Sequence, residues 1–121
     1  MMNGRVDEFR RALLPISLRA TAGDNPTTVE AWIDTGFTGD LVLPQTLVTR
    51  LRLPIVSQVD VGLADGSDSI LNSFAAFVDW FGERRQIEVI ANNGKFPLLG
   101  AGLLAGHRLV IDYNTLAIEI Q

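Results

Sequence analysis

The chain has 121 residues, of which 47% are hydrophobic and 20% are charged, and its formal net charge is -4. This length predicts a single domain over residues 1–121, and the ordinary apolar fraction excludes wholesale disorder. The acidic balance argues against a broad phosphate-binding surface, so we expect no nucleic-acid partner.

The counts of individual residue types exclude several enzyme classes. With no cysteine and one histidine, the chain has no disulfide, no thiol nucleophile and no cysteine-ligated or two-histidine zinc site of its own. Carboxylates are then the most plentiful catalytic groups, and no metal or organic cofactor is implied. The first ten residues are polar and charged, and no apolar run approaches the ~20 residues of a membrane span. These features predict a cytoplasmic protein with no membrane partner.

Most of the chain has the pattern of short strands separated by turns. The predicted strands are 15–20, 29–33, 41–43, 59–63, 69–81, 86–91, 109–113 and 116–120. One face of the longest carries Ile70, Phe74, Ala76, Val78 and Trp80. Short helices are predicted at 45–51 and, after a strand end, within 98–106. Many short strands with little helix predict an all-β fold, a closed barrel or sandwich. The locally basic segment 1–11 is expected to be flexible or to lie at an interface.

Asp34 lies where an apolar strand ends. It follows Ala31-Trp32-Ile33 and precedes Thr35-Gly36, and a second apolar strand begins at Leu41. This order predicts a carboxylate on a tight loop between two buried strands, where Gly36 lets backbone N–H groups approach the carboxylate. Asp-Thr-Gly is also an ordinary turn sequence, so the tripeptide needs support from its flanks.

Those flanks resemble a known family. The segment from Ala31 to Pro44 resembles the active-site loop of retropepsin-like aspartic proteases, and Pro97–Leu104 resembles that family's later apolar-apolar-Gly motif. A hairpin at 63–70 lies between the two, in the position of that family's flap. The resemblance extends from Ala12 to the last residue and includes similarity to the small bacterial and archaeal predicted aspartyl proteases.

The resemblance implies a closed barrel of the retropepsin (acid protease) type, with a single-lobe subunit that hydrolyses peptide bonds. Asp34 would be the catalytic residue, supported by Thr35 and Gly36. A flap formed by Ala64, Asp65 and Gly66 would cover a peptide or protein substrate. Because the chain carries Asp-Thr-Gly once, two chains would each supply Asp34 in a homodimer. The alternative is a catalytically silent domain of this kind that binds peptides or mediates assembly.

Several other residues invite separate interpretations. Gly100–Ala105 matches a dinucleotide-binding fingerprint, with Glu119 about 20 residues further on. The residues that follow are too few for a doubly wound sheet, so we interpret these glycines as structural. Asp112 lies in an apolar strand and is expected to be a structural carboxylate or an interface residue, and His107 is expected to be structural. Phe37 stands where the resembled family usually has a small residue.

Overall fold

The computed structural model describes residues 1–62 and 64–121, except for the side chains of Val59, Val61 and Leu71. The strands within these residues are β1 (Met2–Val6), β2 (Ala12–Arg19), β3 (Thr27–Ile33), β4 (Leu41–Pro44), β5 (Ile55–Gly62), β6 (Asp68–Trp80), β7 (Glu83–Asn92), β8 (Leu98–Leu99), β9 (Leu109–Ile111) and β10 (Ala117–Ile120). The helices are α1 (Gln45–Leu51) and α2 (Ala101–Leu104). The predicted helix 45–51 is α1, and Leu63, predicted to end a strand, lies outside the described residues.

The hairpin of β2 and β3 positions the end of β3. Leu14 lies opposite Ala31, and Ile16 lies opposite Val29. Residues two apart in a strand share a face, and Leu14, Ile16 and Ala31 are all buried on this one. A slip of one residue would turn that face towards water, so burial fixes the register. Asp34, the first residue after β3, therefore has a fixed position at one end of the sheet.

Six strands are hydrogen-bonded in a ring. The order β2-β3-β8-β4-β7-β6 returns to β2 through the pairs Leu18↔Val78 and Arg19↔Phe77. The β3–β8 and β4–β7 pairs are parallel. Every strand of the ring contributes to the core of buried side chains, which includes Leu14, Ile16, Leu18, Ala31, Leu41, Leu43, Val78, Val89 and Leu99. The prediction of an all-β fold with short helices is confirmed.

Strand β6 has two parts with different neighbours. Its second part, from Ser73 onward, pairs with β7, whereas its first part pairs with β5. The predicted apolar face is buried over the second part, but Ile70 in the first part is 64% exposed. The prediction was wrong for Ile70, because at this position β6 does not pair with β7 and pairs with β5 alone.

Both ends of the chain lie in the sheet. The segment 1–11, expected to be flexible or to lie at an interface, contributes strand β1, which the sequence did not predict. β1 pairs with β10 from Met2↔Ile120 to Arg5↔Ala117, and its other side pairs with β2. β10 pairs in turn with β9, which ends the sheet on this side, and β5 ends it on the other.

Candidate active site

Asp34 is the first residue after β3 and opens a tight turn. Its N–H donates to the Leu99 carbonyl of β8 at 2.8 Å, and its own carbonyl accepts the Phe37 N–H at 3.2 Å. The Gly36 N–H donates to Asp34 Oδ1 at 3.0 Å. Oδ2 makes no hydrogen bond within the described residues. Asp34 is half-buried, and Thr35 and Gly36 are exposed. The three residues predicted for the site therefore form one turn, in which one carboxylate oxygen is held and the other is available.

The loop after Asp34 is held by the segment that follows β8. Three successive backbone N–H groups of this segment donate to loop carbonyls: Gly100 to Asp40 (2.9 Å), Ala101 to Phe37 (2.7 Å) and Gly102 to Gly39 (2.9 Å). Each such bond contributes about 1 kcal/mol, and the loop cannot shift without losing all three. The backbone that carries Asp34 is therefore fixed to β8 and α2.

Two glycines of this segment allow the close contact. A Cβ added at Gly100 would lie 2.2 Å from the Gly39 carbonyl oxygen, and a Cβ at Gly102 would lie 2.5 Å from Asp40 Oδ1. Neither atom fits unless the loop moves away. This contact accounts for the Gly-x-Gly pattern at 100–102 without a dinucleotide, as the structural interpretation of these glycines expected.

The ring of Phe37 packs against Gly39 and Gly100. Its atoms lie 2.5 Å from the position that a Cβ would occupy at Gly39, and also 2.5 Å from that position at Gly100. Within the described residues, the cavity beside Asp34 has a volume of about 330 Å³ and is lined by Trp32, Ile33, Asp34 and Leu98. The aromatic residue at position 37 thus belongs to the packing of the loop and not to the lining of this cavity.

Asp40 links the loop after Asp34 to a second strand, β7. Its Oδ2 accepts the Glu88 N–H of β7 at 3.2 Å, and its carbonyl accepts the Gly100 N–H. The sequence did not indicate this role for Asp40. The sequence feature that could have indicated it is the position of Asp40 directly before the apolar residues of β4. A carboxylate at that position can accept an N–H from a neighbouring strand.

A cation and three aromatic rings lie beside the cavity. The Arg11 guanidinium carbon is 4.2 Å from the ring centre of Phe96, 5.0 Å from Phe9 and 6.0 Å from Trp32. Asp7 Oδ2 holds this guanidinium through Nε at 2.8 Å and the terminal nitrogen at 2.7 Å. Burial raises the pKa of Asp7, but the hydrogen bonds and charge of Arg11, with the Phe9 N–H, outweigh it and leave that pKa below its ordinary value. The ion pair thus fixes the cation over the rings.

The residues assigned to the flap lie at the tip of the β5–β6 hairpin. Ala64, Asp65 and Gly66 are exposed, and the Ser67 N–H and Oγ donate to Asp65 Oδ1 at 2.9 and 2.5 Å. Leu63, which precedes them, is not among the described residues. No hydrogen bond joins this tip to the Asp34 turn in the part of the chain that the structure describes. Their role as a flap stays a prediction.

Asp65 makes the tip of the β5–β6 hairpin sensitive to pH. The Ser67 hydroxyl and N–H donate to the ionised carboxylate and hold the pKa of Asp65 below its ordinary value. Because the folded pKa is lowered, this stabilisation is present above the unfolded pKa and is lost as the pH falls through the folded pKa. We expect Ser67→Ala to raise the pKa of Asp65 in an NMR titration, and Ser69→Ala to leave it unchanged. Equal titration curves for the two variants would contradict this assignment.

The rest of the described surface has fewer features of a catalytic site than the Asp34 turn. Among the described residues, no group of three or more His, Asp or Glu side chains is placed to hold a metal ion. A larger cavity of about 550 Å³ lies between β3, α1 and the segment before β8, and its lining includes Glu30, Arg50 and Lys95 but not Asp34. Neither helix in the described ranges has the length and apolar character needed to cross a bilayer.

Comparison with known proteins identifies the fold. No protein-family model and no curated protein sequence matches the chain. Among solved structures, a retropepsin-like aspartic protease from Rickettsia conorii matches with a TM-score of 0.68 and 15% identity, over 97% of this chain and 86% of that one. The EIAV protease bound to the inhibitor HBY-793 matches with a TM-score of 0.58 and 17% identity, over 81% of this chain and 88% of that one.

A third solved structure is also similar to the chain. The retroviral protease-like domain of Ddi1 from Leishmania major matches with a TM-score of 0.54 and 16% identity, over 92% of this chain and 88% of that one. At such identities the likeness concerns the fold. The chain has a retropepsin-like fold, the fold of aspartic proteases, as the resemblance of its two motifs implied.

Proposed function

We propose that this chain is one subunit of a homodimeric aspartic endopeptidase in which each subunit supplies Asp34. The observation that carries the proposal is the Asp34 turn itself. One carboxylate oxygen accepts the Gly36 N–H, and Asp34 lines a cavity together with Trp32, Ile33 and Leu98. The fold is the one that aspartic proteases use.

The chemistry requires a second carboxylate. Two carboxylates in contact cannot both ionise without a large electrostatic cost, so such a pair retains one proton between them. The ionised member takes a proton from a bound water as the water oxygen attacks the peptide carbonyl carbon, and the protonated member donates to the carbonyl oxygen. A proton then passes to the leaving nitrogen as the C–N bond breaks. The pair titrates as one unit.

The second carboxylate comes from a second copy, because the chain carries Asp-Thr-Gly once. In a two-fold dimer the same residue faces its counterpart, so Asp34 would meet Asp34 of the partner subunit. Thr35 and Gly36 are exposed and are therefore free to contact the partner's turn. Their role is to hold the two turns together.

The substrate is an extended peptide segment of a protein. An extended strand can add to a sheet edge through its backbone while alternate side chains enter pockets. The apolar lining of the cavity beside Asp34 suits an apolar side chain next to the cleaved bond. Ala64, Asp65 and Gly66 at the tip of the β5–β6 hairpin would close over this segment and exclude water. The absence of cysteine fits a reducing, cytoplasmic location.

The test is hydrolysis of a mixed peptide library by the purified chain, read by mass spectrometry. We expect internal peptide bonds to be cut, with an initial rate per chain that rises with chain concentration until all chains are dimeric. The alternative function, a silent peptide-binding or assembly domain, predicts peptides that bind without new termini at any concentration. That result would replace the proposed activity with the alternative.

A further inference from the structure

The cavity of about 550 Å³ between β3, α1 and the segment before β8 has no part in the proposed hydrolysis. We call it the α1 cavity. The buried part of its lining is apolar and consists of Pro44, Leu47 and Pro97. Its charged lining residues, Glu30 and the two cations Arg50 and Lys95, are all exposed. The cavity therefore combines an apolar interior with a charged rim.

The charges on this rim do not cancel. The carboxylate of Glu30 is paired with Arg5, whose Nη2 donates to Oε1 at 3.2 Å and to Oε2 at 3.1 Å. Arg50 and Lys95 make no ion pair among the described residues. Two positive charges thus remain available at the rim of the α1 cavity, in a chain whose formal net charge is -4.

The α1 cavity and the cavity beside Asp34 are neighbours. Pro97 lines the first, and the next residue, Leu98, lines the second. The Trp32 N–H donates to the Pro97 carbonyl at 2.8 Å, which holds this shared wall against β3. Alternate residues of a strand share a face, and at about 3.3 Å per residue Glu30 lies about 13 Å from Asp34 along the direction of β3. An extended peptide whose cleaved bond lies at Asp34 therefore reaches the α1 cavity with a residue about four positions away.

We propose that the α1 cavity binds an acidic side chain of the peptide substrate, about four residues from the cleaved bond. The carboxylate contacts Arg50 and Lys95, and the hydrocarbon part of the bound segment packs against Leu47 and its buried neighbours. The inference rests on the proposed function for the place of the cleaved bond, and it adds the substrate class, which is a peptide with an acidic residue at a fixed distance from that bond.

Both parts of the cavity favour this occupant. An arginine can hold a carboxylate through two parallel N–H donors, and a lysine adds a second charge-assisted bond. A small inorganic anion would use Arg50 and Lys95 but would leave the apolar surface of Pro44, Leu47 and Pro97 in water. An acidic peptide segment uses both, because its carboxylate is carried on a hydrocarbon chain.

The first test compares pairs of peptides that differ only by glutamate or glutamine at one position. The parent is a peptide that the chain cleaves, and the exchange is made at successive positions on both sides of the cleaved bond. We expect glutamate about four residues from the bond, on one side, to raise kcat/KM roughly three- to tenfold over glutamine, as two exposed ion pairs allow. This gain should shrink at high salt, because exposed charges are screened.

The same ratio, measured on variants, locates the site. Arg50→Gln and Lys95→Gln should each bring the ratio of kcat/KM for the glutamate peptide to that for the glutamine peptide closer to one. Both side chains are exposed, so these substitutions should leave the fold intact. Arg52→Gln is the matched control, because Arg52 is also exposed and follows α1 directly but does not line the cavity. A ratio that responds equally to Arg50→Gln and Arg52→Gln would overturn the inference.

The second test measures binding without cleavage. Tetraglutamate and tetraglutamine, acetylated and amidated at their ends, are titrated into the full chain and followed by NMR. Tetraglutamate should shift the amides of Thr46, Gly94 and Lys95, which line the cavity, and tetraglutamine should not. Equal shifts with the two peptides would overturn the inference. Inorganic phosphate that gives the same shifts at the same concentration would identify a site for small anions and would also overturn it.

These outcomes separate the inference from the proposed function. Equal cleavage of the glutamate and glutamine peptides at every position would keep the protease and overturn the acidic subsite. Shifts with tetraglutamate that Arg50→Gln removes, in a chain that cleaves no peptide, would support acidic-peptide binding in the α1 cavity and overturn the proposed hydrolysis.

Discussion

Replacing Asp34 by asparagine is expected to lower kcat/KM for peptide hydrolysis by roughly 10²–10⁴-fold. The amide cannot take a proton from water, so the proposed carboxylate pair would lose its base. The substitution should leave the fold intact, because the asparagine Oδ1 can still accept the Gly36 N–H that Asp34 Oδ1 accepts at 3.0 Å. Peptide hydrolysis and the urea midpoint of unfolding, measured on the same preparation, check both parts of this expectation.

Mixing wild-type and Asp34→Asn chains tests whether two subunits form the active site together. If each subunit supplies one carboxylate, an equal mixture of wild-type and Asp34→Asn chains leaves about one quarter of the dimers with two aspartates. Activity should fall to about that fraction after subunits exchange. Asp24→Asn is the matched control, because Asp24 accepts the Thr21 N–H in a distant turn and an amide oxygen can do the same. Activity that falls only to half would mean that one chain contains the whole site.

Gly100→Ala is expected to destabilise the protein by about 3 kcal/mol or more. The added methyl would lie 2.2 Å from the Gly39 carbonyl oxygen, a backbone atom, and 2.5 Å from the Phe37 ring. Relief requires the loop to move away and to break the three hydrogen bonds from residues 100–102. The Asp34 turn should then be displaced and hydrolysis lost together with stability.

The matched control for this prediction is Gly23→Ala. A Cβ at Gly23 meets no atom within 4 Å, so its effect on the free energy of unfolding should stay within about 0.5 kcal/mol. Urea unfolding of both variants gives the comparison. Equal midpoints for Gly100→Ala and Gly23→Ala would show that the loop at 37–40 shifts at little energetic cost. The loop would then not hold the Asp34 turn in place.

Local sequence determined the structure of the residues next to Asp34 in the chain. The alternation of apolar residues up to Ile33 predicts a strand, and Asp34-Thr35-Gly36 predicts the turn, because both depend on residues close together in the chain. The helix at 45–51 was predicted with the bounds that the structure shows. The same local patterns carried the family resemblance, and the fold agrees with it.

Local sequence patterns carry no information about which strands far apart in the chain pair with each other. The ring closes where Leu18 meets Val78, and β1 is stable because β10, more than a hundred residues later, lies beside it. Asn3 and Gly4 in β1 are poor strand formers, so the local sequence does not predict this strand without that neighbour. Likewise, Ile70 belongs to an apolar face by its spacing and is exposed because β7 does not reach it.

The sequence by itself determined the turn that presents the carboxylate, because a turn depends on the conformations of adjacent residues. Only the tertiary structure decided what holds that turn and what borders it. Gly100 and Gly102 meet the loop at 37–40, and Arg11 meets Trp32 and Phe96, across long stretches of chain. Such contacts exist because burial of the core brings these segments together, and no local pattern encodes the partner.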